Sequence, residues 1–347
     1  MLTSAGAKLQ PANPSFQGRT SMATATMRAG IATAEGIAIH KDIPRPVPVA
    51  GQVLVRVAAA GLNRADLGSA KANAQSPITI VGQEWAGEVV AVGAGVTNVK
   101  PGEAVMCFGR NGGYAEYAVT EAGWAMPYNK NEINLQQAAV LPLALITAHD
   151  ALRTRCSLKT GEKVLVQGAS SAVGIMVLQV AKFMGASMIA GTSRDPSKTP
   201  RLQALGATHM FNSSKPEWAD ELLKAADSKG VDVVVDFVSG PTVVGSMKAC
   251  NVLARMVNVG RLGGGTAEFN FDQHAAKRIT YTGVTFRTRS VEEINDIVTR
   301  ARAELWTAVS GGKIALPIDK TFKLEEAAAA HALMNSNGQF GKIALVL

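Results

Sequence analysis

An α/β fold, with a doubly wound parallel sheet joined to a small irregular β-barrel, is what this 347-residue sequence predicts. Three observations lead there. The length suggests two domains at roughly 150 residues each. From about residue 27 to 146 the texture is short strands and turns, and from about 147 it becomes an alternation of apolar strands and helices.

In the first region, Gln52–Ala58 (QVLVRVA) and Glu88–Val92 (EVVAV) are short, β-branched and bounded by Gly and Pro. Residues 92–105 read as strand, turn and strand, with Pro101-Gly102 as the turn. In the second, Lys163–Gln167 (KVLVQ) is a buried strand, and Val173–Met184 is a helix ended by Gly185. A strand at Ser187–Thr192, a helix at Ser197–Leu205, a strand at Thr208–Asn212 and a helix at Pro216–Ala226 follow. Val231–Asp236, Val252–Val259 and Thr280–Thr285 complete the strands. Repeated βαβ units with apolar strands imply a parallel sheet covered on both faces, a Rossmann-type domain. The tail Lys313–Leu347 reads as strand again and returns to the first domain. The predicted division is therefore 1–26 as an extension, 27–146 with 313–347 as the barrel, and 147–312 as the Rossmann-type domain.

Composition removes several classes. With 47% hydrophobic and 18% charged residues the chain can bury a large core and needs no disulfide or metal staple. Cys107, Cys156 and Cys250 form no CxxC pair, against a disulfide framework, a structural zinc or a dithiol centre. The longest apolar run, Ala138–Ala148, is too short to span a bilayer and contains Pro142. The net charge of +8 comes from scattered rather than clustered cations, which fits an enzyme of anionic ligands better than a nucleic-acid binder. No acidic residue precedes Glu35, so the N-terminal segment reads either as a targeting presequence or as residues upstream of the true start at Met22 or Met27. A cytoplasmic location is expected, with organelle import as the alternative.

The strongest chemical motif is Gly168-Ala169-Ser170-Ser171-Ala172-Val173-Gly174, directly after the strand KVLVQ and opening a helix. Small residues there let backbone N–H groups approach a pyrophosphate at the positive end of a helix. The next strand ends Gly191-Thr192-Ser193-Arg194, with Ser193 where an NAD enzyme places a carboxylate for the ribose 2′-hydroxyl. Arg194, with Lys198 on the following helix, suits a 2′-phosphate, so the expected cofactor is NADPH. Asp195 would reach the ribose instead if the loop shifted by one residue.

From residue 27 to the C-terminus the chain resembles the medium-chain dehydrogenase/reductase superfamily, and within it the zinc-free quinone oxidoreductase (zeta-crystallin-like) branch. The motifs are Gly61-Leu62-Asn63-Arg64-Ala65-Asp66, Gly82-Gln83-Glu84-Trp85-Ala86-Gly87, Pro101-Gly-Glu-Ala-Val105, the segment Pro142–Ala148, and Gly341-Lys-Ile-Ala-Leu345. The resemblance makes the barrel GroES-like and catalytic. Zinc-dependent relatives carry a cysteine near Asn63, a histidine at Gln83 and a four-cysteine lobe, none of which stands here; the five histidines follow no ligand spacing. No metal is expected.

The resemblance implies Asn63, Thr147 and Arg287 at the reacting centre, with Asn63 donating to a carbonyl or to the ribose. Val238, Val259, Gly260, Arg261, Phe286 and Lys342 join residues 168–174, Ser193, Arg194 and Lys198 around the cofactor. It implies structural roles for Asp66 and Glu84, the latter bracing backbone or Arg64. Several relatives carry a tyrosine shortly after the Asn…Asp segment as a candidate proton donor; here that stretch holds only Lys71 as a titratable group. Without a Lewis acid, an enone or quinone is the easier acceptor, because hydride addition gives a delocalised enolate or phenolate. The expected activity is NADPH:quinone reduction. The alternatives are reduction of alkenals, enones or enoyl thioesters, or a non-catalytic NADPH- or RNA-binding role like that of some crystallin-type relatives. A homodimer is expected, with small-molecule substrates and neither nucleic acid nor membrane as partner.

Overall fold

The computed structural model describes residues 25–75 and 78–347. The expected extension 1–26 lies outside these residues except at its end, where Thr26 already opens a strand. That strand, β1 (Thr26–Thr33), forms an antiparallel hairpin with β2 (Gly36–Pro44). β3 (Gln52–Gly61) is the spine of the barrel. Its Val53, Val55 and Val57 alternate inward, and the chain then enters α1 (Arg64–Asn73). β4 (Glu84–Val92) pairs antiparallel with β3 and carries the fully buried Trp85. β5 (Ala104–Phe108), β6 (Tyr117–Glu121) and β7 (Met126–Pro127) complete this part, with β6 folding back onto β3. As read from the sequence, the Pro101-Gly102 turn separates β4 from β5.

Two short helices, α2 (Leu135–Val140) and α3 (Pro142–His149), lead out of the barrel. The βα alternation then appears as expected: β8 (Lys163–Gln167), α4 (Ala172–Phe183), β9 (Met188–Ser193), α5 (Thr199–Ala204), β10 (His209–Asn212) and α6 (Trp218–Ala225). It continues with β11 (Val231–Asp236), α7 (Val243–Ala249), β12 (Cys250–Asn258), α8 (Phe271–Lys277) and β13 (Thr280–Gly283). The sheet is all parallel in the order β10-β9-β8-β11-β12-β13. The chain enters in the middle at β8, builds outward to β10, and returns to β11. That reversal opens a crevice beyond the carboxyl ends of β8 and β11, where ligands bind in such sheets.

Two further helices follow the βα alternation. α9 (Val291–Ser310) starts at a Ser290/Glu293 capping box and buries Ile294, Ile297, Val298, Ala301 and Leu305, a helical period. The tail is not strand alone: between β14 (Ile318–Lys323) and β15 (Lys342–Val346) lies α10 (Ala327–Ser336). Its run of four alanines favours helix over strand. β15 pairs antiparallel with β3, Ala344 opposite Gly61, which returns the tail to the first sheet and sets Lys342 beside Leu62 and Asn63. The crossing segment is held by two glutamines, Gln137 on both peptide groups of Leu316 and Gln179 on both of Ala315. No described helix is long and apolar enough to cross a membrane.

Candidate active site

The turn from β8 into α4 is built for close approach. Gly168 holds φ +76°, a backbone region that side chains rarely adopt. A Cβ on Gly174 would stand 2.5 Å from the Gly168 carbonyl oxygen. Ser171 caps the helix, accepting from Gly174 N–H at 3.0 Å and donating to the Gly168 carbonyl at 2.9 Å. The N–H groups of Ala172 and Val173, in the first turn, have no intrahelical acceptor and carry the positive end of the helix dipole. Ser170, Ser171, Ala172 and Val173 are partly exposed, whereas Ala169 is fully buried and bonded to Thr192, so it packs the turn rather than lining it. A small-residue cradle with free N–H groups fits a dinucleotide pyrophosphate.

At the end of β9 the Ser193 hydroxyl is taken up by its own loop, bonding both N–H and C=O of Asp195 at 3.1 Å. Asp195, the alternative at this position, is engaged within its own loop. Its carboxylate accepts from Ser197 N–H at 3.0 Å and Ser197 Oγ at 2.6 Å, and these bonds hold it below the usual range. Arg194 is exposed with no protein partner among the described residues, and Lys198 Nζ lies 3.4 Å from the Gln339 carbonyl. The strand end thus presents two cations beside a carboxylate engaged through Oδ1. Across the crevice, Val238 lies against Gly168, which is 3.1 Å from its Cγ2 at the Cβ position, and Val259 and Gly260 donate to the Asp236 carbonyl. Arg261 is exposed beyond them.

The barrel side centres on Asn63, half-buried at the head of α1. Its Nδ2 donates to Glu84 Oε1 at 2.9 Å, and its Oδ1 accepts from Lys342 Nζ at 2.8 Å. Lys342 Nζ also donates to the Leu62 carbonyl at 3.2 Å and makes an ion pair with Glu84 Oε1. The other Glu84 oxygen accepts from Leu143 N–H at 3.0 Å, in the first turn of α3. Glu84 is fully buried; burial pushes its carboxyl up, while Lys342 and the two hydrogen bonds pull against it. Leu143 and the partly exposed Thr147 stand one turn apart on α3, so one carboxylate ties Asn63 to the helix face carrying Thr147.

Behind Asn63 lies a second buried network. Asp66 Oδ2 accepts from Asn63 N–H at 2.8 Å and from the Tyr114 hydroxyl at 2.9 Å, and Tyr114 Oη lies 3.3 Å from His331 Nε2. Since the hydroxyl proton goes to Asp66, the histidine tautomer with hydrogen on Nε2 completes the chain. Burial raises the Asp66 carboxyl to about 7 and lowers His331 to about 4. A tyrosine therefore does stand beside this segment, but it comes from residue 114 and is fully buried.

The structure bears on three further sequence expectations. Lys342 was placed on the cofactor; it is 2% exposed, and its three donors go to Leu62, Asn63 and Glu84. Arg287, expected at the reacting centre, has an exposed side chain that is unpartnered among the described residues; its N–H donates to Thr285 Oγ1 at 3.2 Å and its carbonyl accepts from Arg110 at 3.0 Å. Glu84 was expected to brace backbone or Arg64; it braces the Leu143 N–H, while Arg64 bonds Met334 and Asn337. The sequence also gave no sign that Arg289 would be buried, paired with Asp150 at 2.7 Å and lying over the half-buried Phe286 ring at 4.8 Å. With Arg110 on the Arg287 and Arg289 carbonyls, this pair clamps residues 286–289 between the barrel and α3. Among the described residues no three His, Cys, Asp or Glu side chains group as a metal site.

A parallel sheet with a phosphate cradle at its switch point, beside an irregular barrel, defines a two-part dehydrogenase or reductase. Comparison with known proteins agrees. Residues 49–130 match the alcohol dehydrogenase GroES-like domain, and residues 172–301 match the family described as zinc-binding dehydrogenase. The chain is 30% identical to the quinone oxidoreductase of Rattus norvegicus over 319 residues, 90% of this chain and 94% of that one. Among solved structures, an alcohol dehydrogenase superfamily protein from Novosphingobium aromaticivorans is 31% identical with a TM-score of 0.82, covering 93% of this chain and 100% of that one. The CurK enoyl reductase is 27% identical with a TM-score of 0.79, over 92% and 99%. The chain belongs to the zeta-crystallin-like branch of the medium-chain dehydrogenase/reductase superfamily and is an oxidoreductase.

Proposed function

We propose that this chain reduces quinones with NADPH and without zinc. The observation that carries the reading is the barrel-side centre itself. Where zinc-dependent relatives place metal ligands, this chain has Gln83 and a neutral amide, Asn63, held by an ion pair already closed on itself. Such a centre offers a hydrogen bond to an oxygen but no Lewis acid, which matches an acceptor whose added charge is delocalised. NADPH, when bound, supplies the hydride. The turn 168–174 would hold its pyrophosphate on Ala172 and Val173 N–H, Arg194 and Lys198 its 2′-phosphate, and Val238, Val259, Gly260, Arg261 and Phe286 its nicotinamide side. Asn63 and Thr147 would flank the acceptor, whose proton comes from water. Residues 27–146 with 313–347 form the acceptor side in this reading, and 147–312 the cofactor side. The similarity to an enoyl reductase supports a second reading, reduction of a conjugated double bond.

Steady-state assays of NADPH and NADH oxidation with ortho-quinones, alkenals and crotonyl-CoA separate these readings. Quinone turnover is expected; turnover of an enal or thioester without any quinone would replace the lead reading by the second. Arg194→Ala is expected to raise the KM for NADPH roughly 10- to 100-fold, the worth of a charge-assisted hydrogen bond, and to leave that for NADH nearly unchanged. A parallel rise for both cofactors would remove Arg194 from 2′-phosphate recognition. The reading includes a homodimer, supported by β13, an open edge strand of the parallel sheet. A native mass near twice 36.2 kDa is expected; a monomer in native mass spectrometry would count against it.

A further inference from the structure

We infer that Glu84 and Lys342 are positioning residues that fix the Asn63 amide one way round, as a hydrogen-bond donor to an oxygen of the bound acceptor. An asparagine amide is nearly symmetric in shape, and either orientation would fit an uncharged niche. Here the niche is polarised. The ammonium of Lys342 sits on Oδ1 at 2.8 Å, and the carboxylate of Glu84 sits on Nδ2 at 2.9 Å. Rotating the amide by half a turn would set its oxygen against the carboxylate and its NH2 against the ammonium, two repulsive contacts in place of two charge-assisted bonds. Both charged groups are buried, at 0% and 2% exposure, and they neutralise each other, so the polarity of the niche is fixed without leaving a net charge at the site.

Two distant strands are spent on this arrangement. Glu84 opens β4, and Lys342 opens β15, which reaches Asn63 only because β15 pairs with the end of β3. The second N–H of Asn63 Nδ2 has no partner among the described residues, and the side chain is partly exposed. Because Glu84 also accepts from Leu143, the same carboxylate holds the helix carrying Thr147, and the two flanks of the site are set by one group. As hydride adds to the acceptor's carbon, the electron pair displaced from the conjugated system collects on its oxygen. The free N–H stabilises that charge without giving up its proton; water protonates the oxygen to give the enol, which for a quinone tautomerises to the hydroquinone.

This inference rests on the reading of Asn63 as facing the reduced oxygen, and its test separates the two. In the full-length protein, Glu84→Gln and Lys342→Met are each expected to lower Tm, since each leaves its partner's charge buried and unpaired. Each is also expected to lower kcat for quinone roughly 100-fold, the cost of about an ångström of misplacement, with the Kd for NADPH nearly unchanged. The double variant Glu84→Gln/Lys342→Met carries no unpaired charge and should recover most of the Tm but little of the kcat. Recovery of both together would make the pair merely structural and overturn the inference. In an Asn63→Ala background Lys342→Met should cost no further kcat; a loss that multiplies would also overturn it. A readout independent of turnover is the Asn63 side-chain NH2 in asparagine-selective 15N spectra. One of its two protons should be protected from exchange in the wild type and unprotected in the double variant; persistence there refutes the lock. A wild type that binds NADPH but reduces no acceptor would refute the proposed function, and the spectra would still decide the lock.

Discussion

Replacing Asn63 by alanine is expected to lower kcat for quinone reduction by about 10²–10³-fold, the usual cost of deleting one donor aimed at developing negative charge. The Kd for NADPH, measured by fluorescence titration, should move by less than about threefold, because the cradle at 168–174 and the cations at 194 and 198 are untouched. The fold should tolerate the change. Glu84 and Lys342 keep each other as partners, and Glu84 keeps Leu143 N–H, so no charge is left buried alone. The stability cost is then that of two charge-assisted hydrogen bonds, about 1.5–3 kcal/mol each. Asn63→Asp should be the more damaging change for turnover despite being closer in shape. It removes the donor and places a second carboxylate within hydrogen-bonding distance of Glu84, competing for one ammonium. A variant with wild-type kcat at either substitution would take Asn63 out of the chemistry.

What could be read from the sequence was what depends on neighbours along the chain. The strand Lys163–Gln167 and the small-residue turn after it lie in one short stretch, so their shape was legible together. The doubly wound parallel sheet followed from the repetition of βα units, though not the order of its strands. The Asn63 and Glu84 motifs were visible, but where their side chains point was not. Lys342 illustrates the reason: a motif fixes where a residue sits, whereas the direction of its ammonium depends on β15 pairing with β3 across some 280 residues. Tyr114 and His331 were missed on the same ground, since they reach Asp66 from a loop and from α10. α9 was legible in principle, for Ser290 and Glu293 form a capping box ahead of apolar residues at helical spacing. The tail was misread because its strands bracket an alanine-rich segment whose own preference is helical.

The Asp66–Tyr114–His331 network should show itself in the pH dependence of stability, with opposite signs at its two ends. Asp66 titrates at about 7 in the fold against 3.8 unfolded, because it is fully buried. Between about pH 4 and 7 the folded state therefore holds a proton that the unfolded chain has lost, and stability falls as pH rises through that window. His331 titrates at about 4 against 6.5, again because of burial. Between about pH 4 and 6.5 the unfolded chain holds the extra proton, and stability rises with pH. In the wild type the two slopes largely cancel up to about pH 6.5. Removing one end should uncover the other. Asp66→Asn keeps an oxygen for Asn63 N–H and Tyr114 but no longer titrates, so its Tm should climb from pH 4 to 6.5, a gain of about 2–3 kcal/mol. His331→Gln should instead lose stability over pH 4 to 7, by about 3–4 kcal/mol. Thermal unfolding of the three proteins across pH 4–7.5 gives the comparison. Parallel curves would mean that neither group is held in its uncharged form by the fold. Diverging curves would mean that the support behind Asn63 is a neutral, hydrogen-bonded wall, so that Glu84 and Lys342 are the charged groups that set the polarity of its amide.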